Sequence, residues 1–311
     1  MFEKKIIISV VLIILFYSLF TIISNVEKIQ ENFSEINLIY IPMMISFLLL
    51  SMIIRSIFQS ILLRTISIKL SLKINFQLFL SGLSMLLTPG GSGQIIKSQI
   101  LKNKYNIPIK KSIPIIIAER FFDLVAVTLI LIFSLFYYNS IETLIIISIS
   151  IIIIISIILF TKSKKIFIKI NLKLKKFTIF EKYLSDEEVF YKSLQKIFSL
   201  KIMMTGILFF IPIAFLDGLL VYFGFLAFGI DFGYIQTIQI YYSSLLAGVF
   251  SFIPGGFGIM ENGLTFLIFD QGISFSLSSS VTLFVRLMTI WLATMIGFVA
   301  YFIFTRINKN K

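Results

Sequence analysis

Seven ionisable side chains interrupt stretches that are otherwise apolar: Arg55, Glu119, Arg120, Asp123, Asp217, Glu261 and Arg286. Each would cost about 2.5–3.5 kcal/mol at the centre of a lipid-facing helix, so they must converge on one another or on a wet cavity. Glu119 and Asp123 are four residues apart and share a helix face, where two carboxylates need a cation between them. Arg286 is the first candidate for that cation and Arg55 the second. For Arg120 and Arg286 two readings stand. One is a buried ion pair that ties the fold together, and the other is a guanidinium that exchanges its carboxylate for a phosphate, which its bidentate geometry suits. The carboxylates Glu119, Asp123, Asp217 and Glu261 would permit proton coupling.

Two Pro-Gly-Gly motifs accompany these charges, Pro89-Gly90-Gly91-Ser92-Gly93 and Pro254-Gly255-Gly256-Phe257-Gly258. Each lies inside an apolar stretch, where proline removes a donor and the glycines end a helix. The helix that restarts after such a break presents free N–H groups, an anion site at membrane depth. Lys97, early after Gly93, would add a point charge for a phosphate or would snorkel to the interface. Glu261, early after Gly258, gains from the helix dipole.

The elements that carry these residues follow from composition. Of 311 residues 58% are apolar and 14% charged, with no His and no Cys; soluble domains average about 45–50% and 25%. The chain is a polytopic membrane protein. Without His or Cys, a disulfide framework, a thiol nucleophile and imidazole acid–base chemistry are excluded, and no metal or other cofactor is expected. Six transmembrane helices are expected at about 6–23, 38–63, 113–137, 144–160, 202–228 and 281–304, since a crossing needs about 20 apolar residues. The stretches 74–96 and 232–260 hold the Pro-Gly-Gly breaks. If neither crosses, Lys4, Lys5, Arg64, Lys69, Lys73, the lysines of 97–111 and of 162–201, and Arg306, Lys309 and Lys311 share one face, leaving Lys28 on the other. That is the positive-inside pattern, with both termini cytoplasmic. The net charge of +13 is thus assigned to inner loops and anionic headgroups rather than to nucleic acid.

Each broken stretch is therefore expected to be a re-entrant hairpin. Pro89 and Pro254 stand 165 residues apart, and Arg120 and Arg286 follow them at matched spacing. The result is a single membrane domain over 1–311, all-α, with repeat one at 38–137 (hairpin 74–104), a linking helix and basic cytoplasmic linker at 138–201, and an inverted repeat two at 202–304 (hairpin 235–270). Inverted repeats with broken helices are the architecture of alternating-access transporters. In the linker, Lys165, Lys169, Lys173 and Lys176 recur at helical spacing, consistent with a basic amphipathic helix or with extended chain.

At these residues the chain resembles the family named after the transmembrane region of lysylphosphatidylglycerol synthase, the flippase-like domain proteins. The likeness rests on Thr88 through Gln94 with Lys97, on Glu119-Arg120 with Asp123, on Ile253 through Gly258 with Glu261, and on Arg286 near Trp291 and Gly297. Members often carry an acid where Gln94 stands. The resemblance implies a lipid-handling protein; some members carry an added domain that aminoacylates phosphatidylglycerol, and others accompany glycosyltransfer to polyprenyl lipids. Neither Gly motif here is a P-loop, since no Lys-Ser/Thr follows. The expectation is a flippase, not an enzyme, that moves an anionic or polyprenyl-phosphate lipid across a prokaryotic cytoplasmic membrane. Its headgroup would be bound by Gly90, Gly91, Gly93, Gln94, Lys97, Arg120, Gly255, Gly256, Gly258, Glu261 and Arg286, with Arg55, Glu119, Asp123 and Asp217 as coupling or ion-pair residues. A membrane enzyme acting on a lipid phosphate, or a non-catalytic partner of a cytoplasmic transferase, are the rivals.

Overall fold

A computed structural model describes residues 25–88, 93–165, 167–168 and 187–306. The expected crossing at 6–23, the turn glycines Gly90 and Gly91, and most of the basic helix expected in the linker lie outside the described residues. Those described are helical in the order α1 (Val26–Ser34), α2 (Tyr40–Thr65), α3 (Leu72–Leu83), α4 (Ile96–Tyr105), α5 (Ile109–Ser134), α6 (Ile141–Lys162), α7 (Glu187–Ile197), α8 (Leu200–Leu226), α9 (Tyr234–Phe250), α10 (Ile259–Phe269), α11 (Phe275–Arg286) and α12 (Leu292–Arg306). A π turn, Leu287–Trp291, joins α11 to α12 in one continuous last helix. Side-chain caps set the starts of several helices: the hydroxyls of Ser71, Ser140 and Ser274 accept from the N–H groups of Ile74, Thr143 and Leu277, satisfying donors a helix start leaves free. Asn106 ends α4 in the left-handed conformation, just before Pro108.

Among the described residues four helices are long and apolar enough to cross a membrane: Tyr40–Thr65, Ile141–Lys162, Leu200–Leu226 and Phe275–Thr305. Each matches an expected span. α5, at 26 residues, has the length of a fifth but carries Glu119, Arg120 and Asp123. On α6, Leu144, Ile145, Ile151, Ile152, Ile155 and Leu159 are exposed, an apolar surface that suits lipid and would be a liability in water. The protein is an integral membrane protein.

The interior forms where α2 packs along α8. Phe58, Phe122 and Phe210 meet there edge-on or tilted, with centroids 5.2–5.7 Å apart. The bare Cα of Gly206 makes room for the Phe122 ring.

The Pro-Gly-Gly motif of repeat two sits at the tip of a helical hairpin. Gln236, near the start of α9, donates to Gln271, just past α10, at 2.7 Å. Farther along, Gly263 faces Ser244 and Gly248 faces Met260 and Gly256, so the two helices run antiparallel in a constant register. In repeat one, α3 and α4 flank the other break and pack on each other.

The last helix orders both hairpins along itself. Phe269 and Phe275 pack at its start, 6.1 Å apart, and Arg286 contacts Gly255 at the second tip. Gly297 then abuts Leu83 and Ser84 where α3 ends, and Lys104, near the end of α4, lies over the Phe304 ring at 3.8 Å. Read from Phe275 to Arg306, the order is open end of hairpin two, its tip, the tip of hairpin one, its open end. The hairpins approach from opposite ends, and 11 residues from Arg286 to Gly297 put roughly 16 Å between their contacts.

Candidate functional site

The ionisable groups form three clusters. At the first tip, Lys97 reaches from the first turn of α4 to α5, where its ammonium donates to Glu119 Oε2 at 2.5 Å and to Gln59 Oε1 at 2.9 Å. Gln59 in turn donates to Asn75 Oδ1 at 2.9 Å, and Asn75 donates to the Ser56 carbonyl at 2.7 Å. The chain of amides fixes Lys97 with no other charge. Its aliphatic stem lies on Gly82, where any Cβ would come within 2.7 Å of Lys97 Cδ.

At the second tip, Arg286 Nε donates to Glu261 Oε1 at 2.7 Å and a terminal nitrogen donates to the Gly255 carbonyl at 2.7 Å. The other Glu261 oxygen accepts the Gly258 N–H at 2.9 Å, closing the start of α10. The guanidinium also lies 5.5 Å from the Phe257 ring, which packs against Trp291 at 5.9 Å. Gly255, Gly256 and Gly258 all have positive φ, and a Cβ on Gly256 would stand 3.1 Å from the backbone of Gly248. Glycine is required for both reasons.

The third cluster joins α2, α5 and α8. Arg55 on α2 donates to Asp123 Oδ1 at 2.5 Å and to Asp217 Oδ2 at 2.8 Å, while Arg120 approaches Asp123 Oδ2 at 3.1 Å. The ring of Phe210 lies 5.4 Å from the Arg55 guanidinium. These side chains are 20–39% exposed. By contrast Lys97 is 3%, Glu119 4%, Arg286 2% and Glu261 0% exposed. The Lys97–Glu119 and Arg286–Glu261 pairs are buried and the Arg55 cluster is partly open.

The expected partner of the Glu119–Asp123 face is thereby corrected. Arg286 bridges neither acid: Glu119 takes Lys97, and Asp123 takes Arg55 and Arg120. The two acids share a face, but one turn changes what stands opposite, α4 at Glu119 and α2 at Asp123. Arg286 is held beside Glu261 by the antiparallel register of α10 and α11, one step along from the Thr265–Thr282 hydrogen bond at 3.0 Å. Arg120 and Arg286 accordingly do not tie the repeats together; Arg55 and Asp217 do.

The tip pairs are equivalent by position and opposite in polarity. Lys97 is the second residue of its half-helix and Glu261 the third; Glu119 stands near the middle of the helix that follows, as Arg286 does in the last helix. Their offsets of 164 and 167 residues bracket the 165 between the prolines.

Gly93 donates its N–H to Thr88 Oγ1 at 2.6 Å, and a Cβ there would collide with Thr88 and Met85. Around this tip four buried polar atoms have no hydrogen-bond partner: Gln94 Oε1, Ser98 Oγ, Glu119 Oε1 and Arg120 Nε. Native interiors hold only a few such atoms, and each asks for an explanation. Gln59, Asn75 and Ser98 escaped the sequence reading, because uncharged polar residues in apolar runs carry no signal of their own. Among the described residues no group of His, Cys, Asp or Glu is arranged to hold a metal ion.

With this geometry in place, the comparison with known proteins is decisive for kinship. The family described as Lysylphosphatidylglycerol synthase TM region matches residues 5–297. The chain belongs to this family. Relatives include the UPF0104 membrane protein PH1989 of Pyrococcus horikoshii, 27% identical over 236 residues, which are 68% of this chain and 70% of the relative. The UPF0104 membrane protein MJ1078 of Methanocaldococcus jannaschii is 29% identical over 229 residues, 71% of this chain and 93% of that protein.

Proposed function

We propose that this family member is a transporter-like flippase that moves a phosphate-bearing lipid, anionic or polyprenyl-linked, between leaflets of a prokaryotic cytoplasmic membrane. The observation that carries the reading is the pair of broken hairpins entering from opposite ends, with their tips on one helix. That is the arrangement expected of inverted repeats in which a site near the midplane is reached alternately from each side. In this reading α5 and residues 6–23 complete six crossings, the hairpins are re-entrant, and both termini are cytoplasmic. α10 and α4, with 11 and 10 residues, measure about 15–17 Å and cannot cross a core of about 30 Å.

The headgroup site lies on the repeat-one side of the centre. Arg120 keeps open surface and an unpartnered Nε, and Ser98 Oγ is the second free donor for a phosphate; the unsatisfied Gln94 and Glu119 oxygens are acceptors. Gly93 lies at the end of the turn beside them, and Lys97 stands one salt bridge away. Glu261, Arg286 and the second glycine turn form the opposing gate, closed here. Arg55, Asp123 and Asp217 couple the repeats. Purified protein in liposomes with a lipid labelled in one leaflet tests this directly: exchange between leaflets supports the proposal. Chemical conversion of the label would favour an enzyme acting on a lipid phosphate, and neither result would favour a non-catalytic partner of a cytoplasmic transferase; either overturns it.

A further inference from the structure

Away from the charged core, a cavity of about 170 Å³ opens between the end of α2, the start of α5 and helix α7, lined by Ile66, Lys111, Val189, Lys192, Ser193 and Lys196. We infer that this cavity binds the phosphate of an anionic phospholipid in the adjoining leaflet.

The rotation of α7 creates the lining. Phe190, Leu194 and Ile197 are buried and hold the helix against α5 and α6, which turns Lys192, Ser193 and Lys196 toward the cavity. Lys111 comes from the first turn of α5, where the helix dipole also favours an anion. Three lysines line one space, and among the described residues no acid does; the Lys192 ammonium is shared with Glu188, 2.6 Å away and outside the lining. Like charges held together are relieved by an anion placed between them.

Ser193 supplies the independent observation. It is 6% exposed and lines the cavity, and among the described residues its hydroxyl has no hydrogen-bond partner. A phosphate oxygen would accept from it. The apolar part of the lining, Ile66 and Val189, decides between lipid and free phosphate, since a soluble anion gains nothing there. The cavity also adjoins the end of α2, a helix long enough to span the membrane, at the level where headgroups lie. Its volume suits a phosphodiester with its glycerol and falls short of the roughly 300–1,000 Å³ of sites for larger ligands.

This inference rests on the membrane setting and not on lipid transport, so a protein that exchanges no lipid would still show the binding. Native mass spectrometry of the full chain in detergent, titrated with dioleoyl phosphatidylglycerol and separately with dioleoyl phosphatidylcholine, reads it. Wild type should retain the anionic lipid preferentially. Replacing Lys111, Lys192 and Lys196 by Gln should weaken that binding about fivefold per lysine, roughly a hundredfold together. Ser193→Leu should abolish the preference by filling the cavity with every charge intact, and Ser193→Ala should weaken it by a few fold. Lys69→Gln with Lys73→Gln, exposed lysines outside the cavity, should leave it unchanged. Equal loss in the Lys69/Lys73 variant would mean general surface charge and would overturn the assignment. So would wild-type binding by a folded Ser193→Leu protein, or equally tight retention of glycerol phosphate or inorganic phosphate. The lysine variants decide the case if Ser193→Leu fails to fold.

Discussion

Removing Arg286 separates a lock from a headgroup ligand. Arg286→Ala leaves Glu261, fully buried and accepting from the Gly258 N–H, without its cation. An uncompensated buried charge of this kind costs about 3–5 kcal/mol, and Glu261→Gln alone should cost a similar amount by orphaning the guanidinium. In the double variant Arg286→Met with Glu261→Gln no net charge is stranded. What is still lost is the hydrogen bond from the guanidinium to the Gly255 carbonyl, worth about 1.5–3 kcal/mol for a charged donor. The single costs would sum to about 6–10 kcal/mol, so a double variant costing about 1.5–3 implies a coupling of at least about 3 kcal/mol. Unfolding in detergent against increasing SDS measures all four proteins. Arg286→Lys completes the set: a lysine reaches Glu261 or Gly255 but not both, so the protein should stay folded while leaflet exchange falls. Additive single costs, within about 0.5 kcal/mol, would refute the pairing argument, and full exchange by folded Arg286→Lys would remove that residue from the gate.

Lys97→Met should cost about 3–5 kcal/mol by stranding buried Glu119, whereas Asp217→Asn should cost only about 1 kcal/mol, because Arg55 keeps Asp123 and the site is partly open; the same SDS titration ranks the two. Gly256→Ala should destabilise well beyond Gly272→Ala. Both glycines have positive φ, costing about 1–2 kcal/mol for another residue, but only at Gly256 does a Cβ meet backbone, that of Gly248. Topology can be read by thiol labelling, since no native Cys competes. Single Cys at Lys73 and Lys104 should label from one side and at Asp231 and Gly272 from the other, and opposite labelling within either pair would mean a full crossing and end the inverted-repeat reading.

The positions of the helices and both breaks were legible because their causes are local. Apolar runs of sufficient length and Pro-Gly-Gly interruptions mark where helices run and stop: the stretches expected at 74–104 and 235–270 hold the helices Leu72–Leu83 with Ile96–Tyr105 and Tyr234–Phe250 with Ile259–Phe269. Which cation meets which acid was not legible. Helical spacing puts Glu119 and Asp123 on one face but says nothing of what packs opposite each turn, so Arg286 stands first among the expected cations although Arg55, the second candidate, takes Asp123 and Lys97 takes Glu119. The amide chain from Gln59 to Asn75 and Ser56 was invisible for a related reason: its members are 16 and 19 residues apart and meet only because α2 and α3 fold back on each other.

The reversed polarity of the tip pairs bears on which hairpin receives a ligand. If both tips were built to bind an anion, each half-helix would present a cation or bare N–H groups. At the second tip the start of α10 is occupied by the protein's own carboxylate, with Glu261 accepting from Gly258 and held by Arg286. An anion arriving there would have to displace a fully buried ion pair. At the first tip the half-helix carries Lys97 instead, and the unsatisfied Gln94, Ser98, Glu119 and Arg120 atoms gather around it. A phosphate there would accept from the two unpartnered donors, Arg120 Nε and Ser98 Oγ, whereas the Gln94 and Glu119 oxygens are acceptors that a donor group of a ligand would have to meet. In the proposed reading, the exchange of charge between the two tip pairs makes the second a lock and leaves the first receptive.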